Sequence, residues 1–171
     1  MGAKYKRILL KLSGEALSKG ADGILNFDFI ASVAEVLKKC IDAGVEVGVI
    51  VGAGNIWRGR QGGSMDRVRA DSMGMLATTI NALALQDTFI QCGLETVVMT
   101  AVEMNAFADR YTAREADMAL KAGKIVFKVC FIKGNKRIFC TGKCFMPRLR
   151  HAPSRQTANA SGSMLSRLSP A

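Results

Sequence analysis

The sequence predicts an α/β fold built on a mainly parallel sheet. Three observations carry that expectation. Short apolar runs rich in β-branched residues alternate with stretches of helical apolar spacing. The connections between them are short, as βαβ units require. The run Val45-Glu46-Val47-Gly48-Val49-Ile50-Val51 is apolar at almost every position, as expected of a strand covered by helices on both faces.

Each element follows in order. Residues 5–12, Tyr-Lys-Arg-Ile-Leu-Leu-Lys-Leu, form a strand that stops at the turn signal Ser13-Gly14-Glu15. Between Phe27 and Cys40 the residues at 29, 30, 33, 34, 36 and 37 are apolar, which is the period of a helix. Asp42-Ala43-Gly44 closes that helix with a glycine cap. The strand 45–51 leaves into Gly52-Ala53-Gly54-Asn55, and a polar, glycine-rich loop covers residues 59–64. Asp71 to Cys92 forms a long, mostly apolar helix stopped by Gly93. Glu95 to Val102 is a strand, Tyr111 to Ala122 a helix ended by Gly123, and Lys124-Ile125-Val126-Phe127 begins a further strand. Val129-Cys130-Phe131-Ile132 extends it, and Arg137-Ile138-Phe139-Cys140 returns after Gly134-Asn135. From Pro147 onward no period survives, the pattern of a disordered stretch.

Charge divides the chain at the same place. Residues 1–127 carry 15 Lys and Arg against 14 Asp and Glu, whereas residues 128–171 carry nine and none. The net charge of +10 therefore belongs to the C-terminal stretch, not to the domain. A nucleic-acid role for that stretch is disfavoured, because its aromatics are only Phe131, Phe139 and Phe145. A zinc site from Cys130, Cys140, Cys144 and His151 lacks a C-x₂-C pair. No metal ligands are assigned. No apolar run approaches the roughly 18–20 residues of a membrane span. Lys11 interrupts Ile8-Leu9-Leu10, so no secretory leader is expected. Cys40 and Cys92 fall in helical segments, as buried thiols of a reducing cytoplasm.

Ligands on parallel sheets bind at the carboxyl ends of the strands. Two such ends carry glycine. At Lys11-Leu12-Ser13-Gly14-Glu15, backbone amides and an ammonium suit a phosphate. An edge lysine snorkelling beside an ordinary turn fits the same residues. At Gly52-Ala53-Gly54-Asn55-Ile56-Trp57-Arg58-Gly59, small residues admit a ligand and Arg58 can pair with phosphate. This is neither G-x-G-x-x-G nor a Walker A loop. Trp57 suits packing better than stacking. Asp71 is either the N-cap of its helix or a carboxylate for ribose hydroxyls. Met65, Met73 and Met75 suit core or interface filling.

Taken together, Tyr5 to Leu17, Gly52 to Gly59, Met65-Asp66-Arg67 and Ala70 to Thr78 resemble the bacterial uridylate (UMP) kinases of the amino acid kinase family. The resemblance covers residues 4 to about 127. It implies a three-layer α/β/α sandwich in which 1–127 is the N-terminal, UMP-binding part. It implies transfer of the γ-phosphoryl of MgATP to UMP, giving UDP and ADP. Lys11, Leu12, Ser13, Gly14, Gly54 and Arg58 would face ATP, with Lys11 and Arg58 as the catalytic cations. Gly52, Ala53 and Asp71 would face UMP. Many relatives carry glycine at the position of Ala53, where only the N–H is needed. Mg²⁺ would arrive with ATP. GTP as effector near residues 15–25, a cytoplasmic location and a hexamer using helix 71–92 are further implications. After Phe127 the family continues with a Gly-Thr-Gly-Asn-Pro-Phe-Phe loop, where this chain has Lys128-Val129-Cys130-Phe131. The breaks in resemblance and in charge coincide. The expectation is a frame-shifted, truncated or read-through C-terminal side. A sheet ending there leaves an open edge and an uncovered apolar face. Little kinase activity is then expected, with a non-catalytic nucleotide-binding remnant or regulatory pseudo-kinase as the alternative.

Overall fold

The computed structural model describes residues 3–58 and 62–129. Five strands form one sheet: β1 (Arg7–Leu12), β2 (Glu46–Val51), β3 (Thr96–Thr100), β4 (Asp109–Arg110) and β5 (Ile125–Val129). Their order is β1-β2-β5-β3-β4, and every pairing is parallel. The helices are α1 (Gly14–Ser18), α2 (Phe27–Asp42), α3 (Arg67–Gln91) and α4 (Ala113–Lys121).

Side chains alternate across the sheet, as the pleat requires. Leu10, Leu12, Val47, Val49, Val51, Val98, Ile125, Phe127 and Val129 meet α2 and α3 in the main core. Leu9, Val97, Met99 and Val126 turn to the opposite face, under Ala116 and Leu120 of α4. The result is the three-layer α/β/α sandwich expected from the alternation of elements.

Local chemistry sets the helix ends. Asn26 caps α2 by accepting from Phe29 N at 2.9 Å. Thr112 caps α4, accepting from Glu115 N at 3.1 Å while its hydroxyl donates to Glu115 at 2.7 Å. Gly44, with φ of 76°, takes the left-handed turn after α2 that a Cβ would resist.

Several boundaries differ from the sequence reading. Ser13-Gly14-Glu15 is not a simple turn: Ser13 caps α1, its hydroxyl accepting from Ala16 N at 3.2 Å. The long helix begins at Arg67, capped by Asp66, which accepts from Arg69 N at 3.2 Å. Asp71 is therefore inside the helix rather than its N-cap. The apolar pattern alone could not show this, because two of residues 67–70 are arginines and Val68 is exposed. β3 is shorter than 95–102, and the two-residue β4 was not anticipated. β5 continues through Val129. Cys40 is buried, which pushes its thiol up, but Cys92 is only half-buried. The Cys/His set after 129, the return strand and the stretch expected to be disordered lie outside the described residues.

Candidate active site at the β1 and β2 exits

β1 and β2 pair in register to their last residues, Leu12 opposite Val51. Both chains therefore leave the sheet at one level, side by side. Gly52 N donates to Leu12 O at 2.9 Å and extends the ladder one residue. Gly52 thus gives closeness rather than a donor: a Cβ there would lie 3.2 Å from Gly14 N. Gly14 is tighter still. A Cβ at Gly14 would lie 2.4 Å from Gly54 N and 2.5 Å from Asn55 Oδ1, so no side chain fits. The two turns touch backbone to backbone. The amides of Ala53 and Gly54 donate to no other described residue. They are the donors this loop offers an anion.

Arg58 ties the turns together. Its Nε donates to Gly54 O at 3.1 Å, and a terminal nitrogen lies 2.5 Å from Glu15 Oε1. The guanidinium remains accessible to a ligand, with the side chain 54% exposed. Lys11 is exposed at the carboxyl end of β1, on the α4 side of the sheet with Leu9. Leu12 is fully buried, so its part is a carbonyl and a core side chain. The Ser13 hydroxyl caps α1 at the mouth of the site.

Asp71 stands apart. It is half-buried on α3 and has no hydrogen-bond or ion-pair partner among the described residues. Trp57 links it to the loop indirectly: Nε1 donates to Ala70 O at 3.0 Å, and the ring packs near Gly74. Trp57 is thus a strut between loop and helix, the packing role expected from the sequence. The structure gathers Ser13, Gly14, Gly52, Ala53, Gly54 and Arg58 at one place; Lys11 lies at the carboxyl end of β1, and Asp71 is joined to them only through Trp57 and its neighbour Ala70.

Two residues of the site had no assigned role in the sequence. Glu15 pairs with Arg58. Asn81, fully buried on α3, pairs with Asn55. Its signal was an amide at a core-facing position of a mostly apolar helix. An open depression of about 670 Å³ elsewhere runs along β3 and α4, and none of the glycine-turn residues lines it. Among the described residues no group of His, Cys, Asp or Glu is placed to hold a metal ion. No described helix is long and apolar enough to cross a membrane.

A parallel α/β/α sandwich with glycine turns at adjoining strand exits, bearing free amides and two cations, defines a class: folds that seat an anionic ligand at the carboxyl edge of the sheet. Within that class the chain belongs to the amino acid kinase family, whose pattern it matches over residues 6–142. It is similar to the UMP kinase of Bacillus anthracis, with 36% identity and a TM-score of 0.69 over 74% of this chain and 53% of that one. The UMP kinase of Ureaplasma parvum is 32% identical, with a TM-score of 0.68 over 74% of this chain and 54% of that one. The isopentenyl phosphate kinase of T. acidophilum shares the fold at 19% identity, with a TM-score of 0.52 over 70% of this chain and 53% of that one. The chain thus spans about half the length of these relatives.

Proposed function

We propose that the chain is the UMP-binding part, residues 1–127, of a nucleoside monophosphate kinase, followed by a basic stretch at 128–171. The reaction is transfer of the γ-phosphoryl of ATP to UMP. A UMP phosphate oxygen attacks the γ-phosphorus, the bond to the β,γ-bridging oxygen breaks, and ADP leaves. The observation that supports the reading is the backbone contact between Gly14 and Gly54, which brings the Ala53–Gly54 amides beside the β1 exit. The likeness to two UMP kinases above 30% identity supports UMP as the acceptor.

Phosphoryl transfer asks for positioning and charge neutralisation rather than a covalent nucleophile. The amides of Ala53 and Gly54 hold phosphate oxygens. Gly52 keeps the loop close to Gly14. Arg58 and Lys11 offset developing charge, with Leu12, Ser13 and Gly14 shaping the ATP side. Arg58 must loosen its pair with Glu15 to take a phosphate. Asp71 accepts from the UMP ribose. The described residues do not form a cage for Mg²⁺. The ion belongs with the ATP phosphates, and no step here depends on it. The exposed apolar side chains Met73, Leu76 and Ile80 of α3 support self-association. A hexamer, GTP as effector near residues 15–25 and a cytoplasmic location belong to the same reading.

The alternative is a non-catalytic nucleotide-binding remnant or a regulatory pseudo-kinase. Trp57 is the only tryptophan and sits against the site, so its fluorescence reports binding. UMP should change it saturably in either form, and ADP release far below the roughly 1–100 s⁻¹ of ordinary kinases marks the remnant form. Turnover in that range would overturn the remnant form. No response to either UMP or ATP would overturn the nucleotide reading itself.

A further inference from the structure

Asn81 is 0% exposed, on a helix face otherwise lined by Thr78, Ala82 and Leu85. A buried amide must be hydrogen-bonded or it destabilises the fold. Its Nδ2 donates to Gly52 O at 2.8 Å and to Asn55 Oδ1 at 2.7 Å. Its Oδ1 accepts from Asn55 Nδ2 at 3.0 Å, and the same Asn55 nitrogen donates to Ile24 O at 2.7 Å. The orientation of both amides is forced. Each nitrogen faces a backbone carbonyl, which can only accept. Asn55 Oδ1 in turn lies against the α-carbon of Gly14, where a Cβ would come within 2.5 Å. One reciprocal amide pair therefore joins four segments: the 52–55 loop, the α1–α2 connection, α3 and the β1 exit.

We propose that Asn81 is the positioning residue of the phosphate-facing loop. By engaging the Gly52 carbonyl it fixes the peptide plane between Gly52 and Ala53, the unit that carries the Ala53 N–H. Through Asn55 it fixes the spacing between that loop and Gly14. The ligand it serves is the phosphate of a nucleoside monophosphate, so the inference rests on the phosphate-site reading above. Asn81 does not touch the ligand. It acts by keeping donors aimed, which lowers the ordering needed on binding.

The test compares three variants of the full chain. Asn81→Ala removes the bonds to Gly52 O and to Asn55, and Asn55→Ala removes those to Asn81 and Ile24 while leaving the bond from Asn81 to Gly52 O. Leu85→Ala opens a cavity one turn along the same helix and serves as the stability control. UMP affinity is read by Trp57 fluorescence, and backbone order at Ala53 and Gly54 by nuclear magnetic resonance relaxation without ligand. Asn81→Ala should weaken UMP binding about tenfold or more, and Asn55→Ala by a smaller factor. Both should lower the order parameters of the Ala53 and Gly54 amides. Leu85→Ala should destabilise the fold while leaving affinity and loop order near the unsubstituted values. Equal loss of affinity in Leu85→Ala, or unchanged affinity in both Asn variants, overturns the inference and leaves the site reading standing. Failure of the unsubstituted chain to bind UMP overturns both.

Discussion

On one face of the sheet α2 and α3 seal a cluster of twenty buried residues, whereas on the other α4 closes over four. The first face is packed chiefly by apolar side chains. Phe89 and Phe127 meet at its centre, ring centroids 5.3 Å apart and tilted by 59°. The second face leans on charge. Arg7 on β1 pairs with Glu46 on β2 and reaches Asp117 on α4 at 2.7 Å, and Asp117 also takes Lys121 at 2.7 Å. Lys128, 2% exposed on β5, sets its ammonium 3.7 Å from the centre of the Tyr111 ring. The site sits where strand exits supported by the first face emerge, so its geometry inherits the stiffness of the larger core.

The largest effect should therefore come from the first face. Phe127→Ala removes a fully buried ring and should cost about 3–5 kcal/mol. Leu120→Ala, on α4, should cost about 2 kcal/mol, the low end for such truncations, because a thinly covered face can close over the gap. Urea unfolding followed by circular dichroism compares them. Equal losses would show that the α4 face is as tightly built as the other. Next comes Gly14→Ala. Its Cβ would press on the Gly54 amide at 2.4 Å, backbone that cannot swing aside. The loss should be about 1–3 kcal/mol, with the UMP response of Trp57 abolished. Gly44→Ala is its counterpart, strained by its φ of 76° but with nothing within 4 Å of the new Cβ. It should lower stability and leave UMP binding intact. Equal effects of the two on binding would mean that the Gly14 contact does not shape the site.

The same contrast explains what the sequence made legible. The first face leaves its imprint on the sequence: the nearly continuous apolar run of 45–51 and the helical spacing in 27–40 both record burial, so strands and helices emerged within a few residues. The glycine turns were also legible, because glycine at a strand exit has few other uses. The start of α3 was not. Its first turn is Arg67-Val68-Arg69-Ala70, mostly exposed, and an Asp cap at 66 looks like any other surface acid. α1 was hidden because five residues leave no period to detect. Asn81 was invisible in role, since a buried amide declares itself only when its partners, 26 and 29 residues away, are brought to it. The Arg7–Asp117 pair spans 110 residues and leaves no local pattern at all.

That pair yields the smallest expected effect and the sharpest separation of the two faces. Hydrogen bonds from Lys121, then Arg7, hold the Asp117 carboxyl below its ordinary range. A carboxyl depressed on folding stabilises the protein above its unfolded pKa of about 4, and that contribution fades as pH falls through the lower folded value. The melting temperature should thus decline below about pH 4. Asp117→Asn should make that decline shallower while slightly lowering stability near neutrality. Salt should mimic the substitution only in part, since Arg7 is 18% exposed in its side chain and Lys121 is 66% exposed. The outer Lys121 contact should be screened first and the Arg7 contact should persist. Thermal melts of both proteins across pH, in low and high salt, read this directly. An acid slope identical in the variant would place the acid sensitivity elsewhere, and the α4 face would then be held by its four apolar residues rather than by charge.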